Sequence, residues 1–239
     1  VLAMEILPNI EIVDLALYLK KEKILVIADL HIGQEEAMNK QGILIPRFQF
    51  KEIESRLKKI LDKLEIKRII INGDLKHEFG IISEQEWRNT LKILDLCLSY
   101  APVILIKGNH DKIIGPIANK RNVQLLESYK ADDITILHGD KLKEIKTKTL
   151  IIAHEHPAIT ISDEIRKEKY KCFLKGKWKN KNLIVMPSFN QITEGTDIAN
   201  QRLLSPFLKN ISNFEVYVIE DKVYNFGKLK NLNQHKNLQ

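Results

Sequence analysis

Aspartate, asparagine and histidine residues follow five short apolar runs of this chain, at the point where each run stops. The five motifs are Asp29-Leu30-His31, Gly73-Asp74, Gly108-Asn109-His110-Asp111, His138-Gly139-Asp140 and His154-Glu155-His156. Imidazole, carboxylate and amide oxygen together suit divalent metals of intermediate softness, such as Mn, Fe or Zn. The motifs contain no cysteine, which argues against a structural zinc-thiolate site. The pattern therefore predicts a catalytic metal centre.

The histidines are concentrated in and beside these motifs. Six of the seven lie there, namely His31, His77, His110, His138, His154 and His156, and only His235 does not. A single histidine is usually a core or surface residue, but packing does not explain six together. On an extended strand, Asp29 and His31 would face the same way and reach one ion. His154 and His156 would do likewise, unless the chain turns there and directs them to different ions.

The apolar runs before the motifs are predicted to be buried strands, because short β-branched runs are typical of such strands. They are Ile24–Ala28, Arg68–Asn72, Val103–Lys107, Ile134–Leu137 and Leu150–Ala153. In layered α/β proteins, ligands collect at the carboxyl ends of strands. We therefore expect the five motifs to meet at one site.

Helices are predicted between the early strands. Phe48–Leu64 and Glu84–Tyr100 have apolar residues at helical spacing, and Ser83 with Glu86 forms a capping-box pattern. Gly33–Lys40 is predicted as a short helix, and Asp111–Lys120 as another that Gly115-Pro116 interrupts. This strand–helix alternation is typical of βαβ units.

The second half of the chain is richer in strands. The predicted strands there are Val123–Leu126, Ala158–Ile161, Tyr170–Leu174, Leu183–Met186, Phe214–Glu220 and Val223–Phe226, and short strands are also expected within residues 4–20. An α/β fold with two packed sheets and helices outside would accommodate this. We predict one domain over residues 1–228 and a loose polar tail over 229–239.

Composition sets broad limits on the class of protein. A chain of 239 residues with 44% hydrophobic residues can bury a core, and its two cysteines fit a reducing cytoplasm. No apolar run approaches the roughly 20 residues that a membrane helix needs, so no membrane partner is expected. The net charge of +7 is compatible with nucleic acid as a partner or with a soluble basic protein that has none.

Two stretches of the chain are strongly basic. Residues 166–181 carry eight basic residues and one acid, interleaved with Tyr170, Phe173 and Trp178. Lysines can follow a nucleic-acid backbone while aromatic rings stack on bases. The alternative is an edge strand whose lysines prevent aggregation. The second stretch, Lys141–Lys148, follows His138 and either flanks the site or is a plain solvated surface.

The five motifs, in this order, are similar to those of the calcineurin-like metallophosphoesterase superfamily. Within it, Gly73–Phe79 resembles the archaeal SbcD-related branch and the bacterial DNA-ligase-associated phosphoesterases. Val185–Asn190 and Thr193–Asp197 resemble a later block of the same branch, which includes helicase-associated archaeal nucleases. The resemblance implies a four-layer α-β-β-α sandwich of two mixed sheets with two divalent metals. Mn is the first choice, with Fe, Zn, Ni or Mg as alternatives.

The resemblance also implies a role for each motif residue. The first metal would be held by Asp29, His31 and His156, the second by Asn109, His138 and His154, and Asp74 would bridge them. His110 would lie near the scissile phosphate without binding metal, steadied by Asp111. His77 would position the phosphate or support a ligand, although a surface histidine at a helix start is the alternative. Ala153 departs from the family, which usually has glycine there.

These observations lead to a preferred function and two alternatives. The preferred one is a Mn-dependent exonuclease that digests single-stranded DNA 3′ to 5′ during repair in the cytoplasm, with a repair helicase as a candidate protein partner. The first alternative is a phosphodiesterase for a small cyclic or linear nucleotide. The second is a catalytically idle metal-binding scaffold for a repair helicase or ligase. The sequence leaves the oligomeric state open.

Overall fold

A computed structural model describes residues 3–43, 48–78, 83–162 and 166–234. Phe79 and His235, both singled out above, lie outside this part of the chain. In the described residues, strands β1 to β7 form one sheet in sequence order. The first three are antiparallel and the last four run parallel to one another. The strands are β1 Ala3–Leu7, β2 Ile10–Val13, β3 Ala16–Leu19, β4 Ile24–Ile27, β5 Arg68–Asn72, β6 Val103–Ile106 and β7 Gln124–Leu126.

Within the described residues, four helices connect these strands, close to the predicted positions. They are α1 Gln34–Lys40, α2 Gln49–Leu61, α3 Glu84–Leu98 and α4 Gly115–Lys120. Helix α2 buries Ile53 and Leu57 in the core that it shares with the first sheet. The expected interruption at Gly115-Pro116 is wrong, because α4 begins there. Proline lacks only an N–H that a first helical turn leaves unpaired anyway.

The second sheet contains both parallel and antiparallel pairs. Strands β9, β10 and β13 run parallel at its centre, and β12 pairs antiparallel with β11, β13 and β15. Strands β8 and β14 are short and were not predicted from sequence. The strands are β8 Tyr129–Ala131, β9 Ile134–Ile136, β10 Thr149–Ile152, β11 Pro157–Ser162, β12 Lys167–Trp178, β13 Lys181–Val185, β14 Thr196–Asp197, β15 Glu215–Ile219 and β16 Val223–Lys228.

The two faces of the second sheet lie in two separate cores, because side chains alternate along each strand. Ile151 and Phe173 pack in the core shared with the first sheet, whereas Leu150 and Leu174 pack in the other. The chain belongs to the predicted α/β class, with two mixed sheets in a four-layer α-β-β-α sandwich. The outer cover of the second sheet consists of irregular chain over 199–214 and one short helix, α5 Leu229–Gln234.

Helix α5 changes the interpretation of the chain's end. Leu229 is buried against the outer core, so the prediction of a loose tail is wrong for residues 229–234. Residues 235–239 lie outside the described part of the chain. The single domain over residues 1–228 stays a prediction. No helix within the described residues combines the length and apolar character needed to cross a membrane.

Strand β12 contains most of the first basic stretch, and its middle does not match the edge-strand interpretation. At Leu174 and Lys175 it pairs with β13 and with β15. Phe173 is 0% exposed, so its ring cannot stack on a base. Lys169 pairs with Glu194, and Lys175 with Glu215. These cations are already paired within the protein.

The burial of Phe173 predicts a large effect of its removal on stability. Phe173→Ala is expected to lower the free energy of unfolding by about 3–5 kcal/mol, because it leaves a cavity between the sheets. Urea unfolding followed by circular dichroism measures this. Phe226→Ala, on the partly exposed strand β16, serves as the control and should change stability by less than about 1 kcal/mol. Equal losses in the two variants would contradict the assignment of Phe173 to the core.

Candidate metal centre

Backbone pairing beyond the ends of β4 and β5 brings the first two motifs together. The N–H of Asp29 donates to the carbonyl of Gly73 at 3.2 Å, and the N–H of His31 donates to the carbonyl of Asp74 at 3.0 Å. Strands β4 and β5 are parallel neighbours, so their carboxyl ends lie side by side. The Asp29–His31 segment is consequently held against Asp74.

Five of the seven predicted ligands have left-handed backbone conformations. Their φ angles lie between 43° and 66°, at Asp29, His31, Asp74, His154 and His156. The expectation that Asp29 and His31 alternate on an extended strand is therefore wrong, since β4 ends at Ile27 and the chain then turns. A left-handed residue costs roughly 1–2 kcal/mol, and such strain collects at functional sites.

The second sheet contributes three histidines through the ends of β9 and β10. The N–H of Ala153 donates to the carbonyl of His138 at 2.8 Å, which aligns the two strand ends. The N–H of His154 donates to Asp29 Oδ2 at 3.1 Å and so joins the two sheets. The chain turns at His154 and His156, and their rings face different neighbours. The ring of His154 is 5.0 Å from that of His138, whereas His156 Nε2 is 3.3 Å from His31 Nε2.

The donor atoms form two neighbouring groups, each compact enough for one ion. One contains Asp29, His31 and His156, and the other contains Asp74, His138 and His154, with the donor atoms of each group within 4.8 Å of one another. Asn109 joins the second group, because its Oδ1 is 2.9 Å from His138 Nε2. The structure thus brings all seven predicted ligands together.

Asp74 lies between the two groups. Its Oδ2 is 3.4 Å from His138 Nε2 and 3.9 Å from His31 Nε2. Its other oxygen, Oδ1, accepts the backbone N–H of His110 at 2.8 Å. This position is the one that a bridging carboxylate requires.

Two glycines allow the backbone to approach these side chains closely. A Cβ at Gly73, where φ is +81°, would be 2.0 Å from His138 Nδ1. A Cβ at Gly108 would be 2.1 Å from Asp74 Oδ1. Any side chain at either position would displace a predicted ligand.

The electrostatics of the pocket favour positive charge. Burial alone would raise the pKa of Asp29 and Asp74, but neighbouring histidines, His156 for Asp29 and His138 for Asp74, hold both below the usual range. Burial alone would likewise lower the pKa of His138, but its bond to Asp74 and the charge of Asp29 raise it to about 9. Two buried carboxylates therefore attract a cation into the pocket.

The donor set fits two divalent cations. Burial and His156 lower the pKa of His31 to about 3, so its imidazole is neutral, as a metal ligand must be. Asp29 Oδ1 is buried and has no hydrogen-bond partner among the described residues. Asp29, His31 and His156 would hold one cation, Asn109, His138 and His154 the other, and Asp74 both.

His110 lies at the edge of this group, beside His31. The two ring centroids are 4.9 Å apart, and His110 Nε2 is 4.0 Å from Asp74 Oδ2. The Nδ1 atom of His110 is 2.5 Å from the backbone carbonyl of His77. A carbonyl only accepts, so Nδ1 carries the hydrogen and Nε2 faces the metal pocket. The ring of His77 lies 5.5 Å from that of His31, on the same side of the pocket.

Asp111 supports the loop of His110 through backbone N–H groups. Its Oδ2 accepts the backbone N–H groups of Gly108 at 3.1 Å and Leu75 at 3.4 Å. Burial and the nearby charge of Asp74 raise the pKa of Asp111 to about 6. Asp111 therefore holds the loop that carries His110, as expected of a residue that steadies it, and the His77 carbonyl binds the ring itself.

Two buried charged residues that sequence reasoning missed hold the loops of His77 and His110. Glu86 Oε1 accepts the N–H of His77 at 2.9 Å and that of Glu78 at 3.0 Å. Lys76, fully buried, donates from Nζ to the carbonyl of His110 at 2.8 Å. The only sequence signal was the capping box, in which Ser83 does accept the N–H of Glu86. The capping-box pattern did not indicate that the Glu86 side chain also binds the N–H groups of His77 and Glu78.

Three polar side chains that were not predicted from sequence support the Asp29–His31 turn. Ser188 Oγ donates to the carbonyl of Asp29 at 2.7 Å. Asn190 and Gln49 each donate a side-chain N–H to the carbonyl of His31 at 3.5 Å. Ser188 and Asn190 belong to the late sequence block Val185–Asn190. That block did not predict that their side chains support the Asp29–His31 turn.

Comparison with known proteins adds the family. Residues 22–219 match the family described as calcineurin-like phosphoesterase. The chain belongs to that family. Calcineurin-like phosphoesterases are metal-dependent, so the membership agrees with the donor set and supports a metal-dependent phosphoesterase.

Solved structures add information on the fold of this calcineurin-like phosphoesterase. The nuclease MPE of Pseudomonas putida is 19% identical, with a TM-score of 0.67 over 94% of this chain and 99% of that one. Vps29 of Chaetomium thermophilum is 16% identical, with a TM-score of 0.37 over 82% of this chain and 81% of that one. Only the first likeness is close enough to support the fold. The comparison with curated proteins found no match.

The position of Asp74 predicts that both metals depend on it. Asp74→Ala is expected to weaken binding of each ion at least about 100-fold, because the carboxylate contacts both donor groups. Metal content after dialysis against Mn²⁺ and desalting, measured by plasma mass spectrometry, checks this. Asp133→Ala, which removes an exposed aspartate, is the control and should retain about two ions per chain. Two ions in Asp74→Ala would contradict the bridging role.

Lys171 predicts a pH dependence of stability. Burial lowers the pKa of this lysine from 10.5 to about 7, and its Nζ donates to the carbonyls of Ser188 and Thr193. Between these two pH values the unfolded chain binds the proton more tightly, so this group makes the free energy of unfolding rise with pH. Urea unfolding at several pH values should show a slope that Lys171→Met removes. Lys177→Met, on an exposed part of the same strand, is the control, and an unchanged slope in Lys171→Met would contradict the assignment.

Proposed function

We propose that this metal-dependent phosphoesterase cleaves phosphodiester bonds of DNA, as a Mn-dependent exonuclease that digests single strands 3′ to 5′ during repair. One observation carries the proposal. Seven donors from two sheets enclose a single pocket, and His110 Nε2 lies at its edge, 4.0 Å from Asp74 Oδ2. An idle scaffold would not need the oriented ring of His110.

Each part of the pocket has a task in phosphodiester hydrolysis. Asp29, Asp74 and Asn109 would hold two divalent cations through buried or loop-anchored oxygens. When bound, these cations would neutralise a phosphate and supply a hydroxide-like nucleophile near neutral pH. The pocket then places the phosphate beside His110, where the leaving oxygen gains negative charge.

His110 acts as the acid in this scheme, through its Nε2 atom. Since Nδ1 already donates to the His77 carbonyl, a neutral ring has no hydrogen on Nε2. Only the imidazolium form can protonate the leaving oxygen or donate a hydrogen bond to it. The proposed role of His110 as the acid therefore requires the imidazolium form.

Three observations support DNA as the substrate. The chain carries a net charge of +7. Its motifs resemble the SbcD-related branch and the DNA-ligase-associated phosphoesterases. A solved structure that shares its fold is named a nuclease. We also propose Mn as the metal and a repair helicase as a partner, on the same resemblance, and a cytoplasmic location, on the presence of only two cysteines.

The experiment is an incubation with Mn²⁺ and single-stranded DNA labelled at its 5′ or its 3′ end. The 5′-labelled strand should give a ladder of shortening products, and the 3′-labelled strand should release its label at once. Immediate release of the 5′ label instead would mean that digestion runs 5′ to 3′. Cleavage of model diesters and cyclic nucleotides alone would support the small-nucleotide alternative. No turnover with any divalent metal, despite stoichiometric binding, would support the scaffold.

His110→Ala is the matched variant for this assay. It should retain both metals and lose about 100- to 10,000-fold in turnover, because it removes the proton donor but no predicted ligand. The metal content of the same preparation distinguishes lost chemistry from a lost site. Full activity would remove His110 from the mechanism.

A further inference from the structure

A cavity of about 660 Å³ opens beside the metal centre, with Asn109 and His138 in its wall. It lies between the loop that follows β6 in the first sheet and the loop that follows β9 in the second. The lining residues are Lys107, Gly108, Asn109, Lys112, Glu127, Leu137, His138, Asp140, Lys141, Leu142 and Lys143. We call this cavity the lysine groove.

The lysine groove carries more positive than negative charge. Its lining includes four lysines and two acids. Lys107 and Lys112 flank Asn109 on one loop, and Lys141 and Lys143 follow His138 on the other. The Lys141 side chain is 87% exposed and 3.8 Å from Asp140, and Lys143 Nζ donates to Ser128 Oγ at 2.8 Å. Cations from both loops therefore face a ligand that reaches the metal pocket.

The other basic stretch does not offer such a surface. Lys171 of β12 donates to two backbone carbonyls, and Lys177 donates to Asn182 Oδ1. Lys175 is paired with Glu215, and no residue of β12 lines the lysine groove. The basic residues that border the metal centre are instead those that follow His138 and surround Asn109.

We infer that the lysine groove binds the phosphate backbone of single-stranded DNA and leads it to the metal centre. The inference rests on the proposed function and adds the path of the strand. A small cyclic nucleotide presents one phosphate, whereas lysines on two loops suit several consecutive phosphates. Leu142, 59% exposed in the same lining, offers an apolar surface to an unpaired base.

Equilibrium binding tests the groove separately from catalysis. The probe is a fluorescein-labelled oligothymidylate of about 12 nucleotides, titrated in EDTA over a range of salt. The variant combines Lys112→Ala, Lys141→Ala and Lys143→Ala. The loss of three contacts to a single strand should make the negative slope of log affinity against log salt shallower by about 2. Affinity at ~0.1 M salt should fall by about 100-fold.

The control combines Lys177→Ala, Lys179→Ala and Lys222→Ala, which remove the same charge from residues outside the groove. It should keep the wild-type slope and affinity. An equal loss of affinity in both variants would mean that only the net charge matters, and it would contradict DNA binding in the groove. The same conclusion would follow if the wild-type chain did not bind the probe, or if the groove variant kept the wild-type slope.

Turnover then separates this inference from the proposed function. Both triple variants should hydrolyse the small diester bis(p-nitrophenyl) phosphate at the wild-type rate, and only the groove variant should have a raised KM for DNA. DNA cleavage with the same KM in both variants would leave the nuclease function standing and overturn the groove. If DNA binding depended on the groove but the wild-type chain did not cleave DNA, the proposed nuclease function would be wrong and the inference about the groove would stand.

Discussion

The structure depends on placing two carboxylates, Asp29 and Asp74, in a pocket between two sheets where almost no water reaches them. They are 0% and 1% exposed. Such burial is unfavourable unless positive charge lies close by. The chain surrounds them with imidazoles, and the two carboxylates raise the pKa of His138 to about 9. Two metal ions would satisfy this requirement without the mutual repulsion of several protonated rings.

The backbone holds the donors in place against their own conformational preference. Left-handed turns at Asp29, His31, Asp74, His154 and His156 would relax in an isolated loop. Here each turn is tied to a neighbour. Ser188 and Asn190 bind the first turn, and the N–H of His154 binds Asp29 itself. The stability of two sheets is thus used to hold a strained ring of ligands.

Much of the fold and the composition of the site could be predicted from sequence because both depend on local patterns. β-branched runs and helical spacing located strands β4, β5 and β6 and helices α2 and α3 within a few residues. The family pattern then supplied the order of the donors. Strand β12 was misjudged because pairing on both sides is a property of the assembled sheet, and the same basic pattern fits an edge strand equally well.

The supporting contacts could not be predicted because they use backbone atoms. The His110 ring is held by the carbonyl of His77, and the His77 loop is held by Glu86 through N–H groups. Every residue carries these groups, so no sequence pattern marks the ones that are used. Asp111 illustrates the same difficulty, since its carboxylate binds the backbone N–H groups of Gly108 and Leu75.

Glu155, between the two histidines of the last motif, connects the metal centre to the outer cover of the second sheet. It is fully buried, and its Oε2 accepts the N–H groups of Leu204 and Ser205 at 2.8 Å each. Ser205 in turn donates to the carbonyl of Gly139, next to His138. A bound protein or an insertion that pulled on the irregular segment 199–214 would therefore shift predicted ligands of both donor groups at once. The side of the molecule that faces away from the first sheet is thus connected by hydrogen bonds to the predicted metal centre.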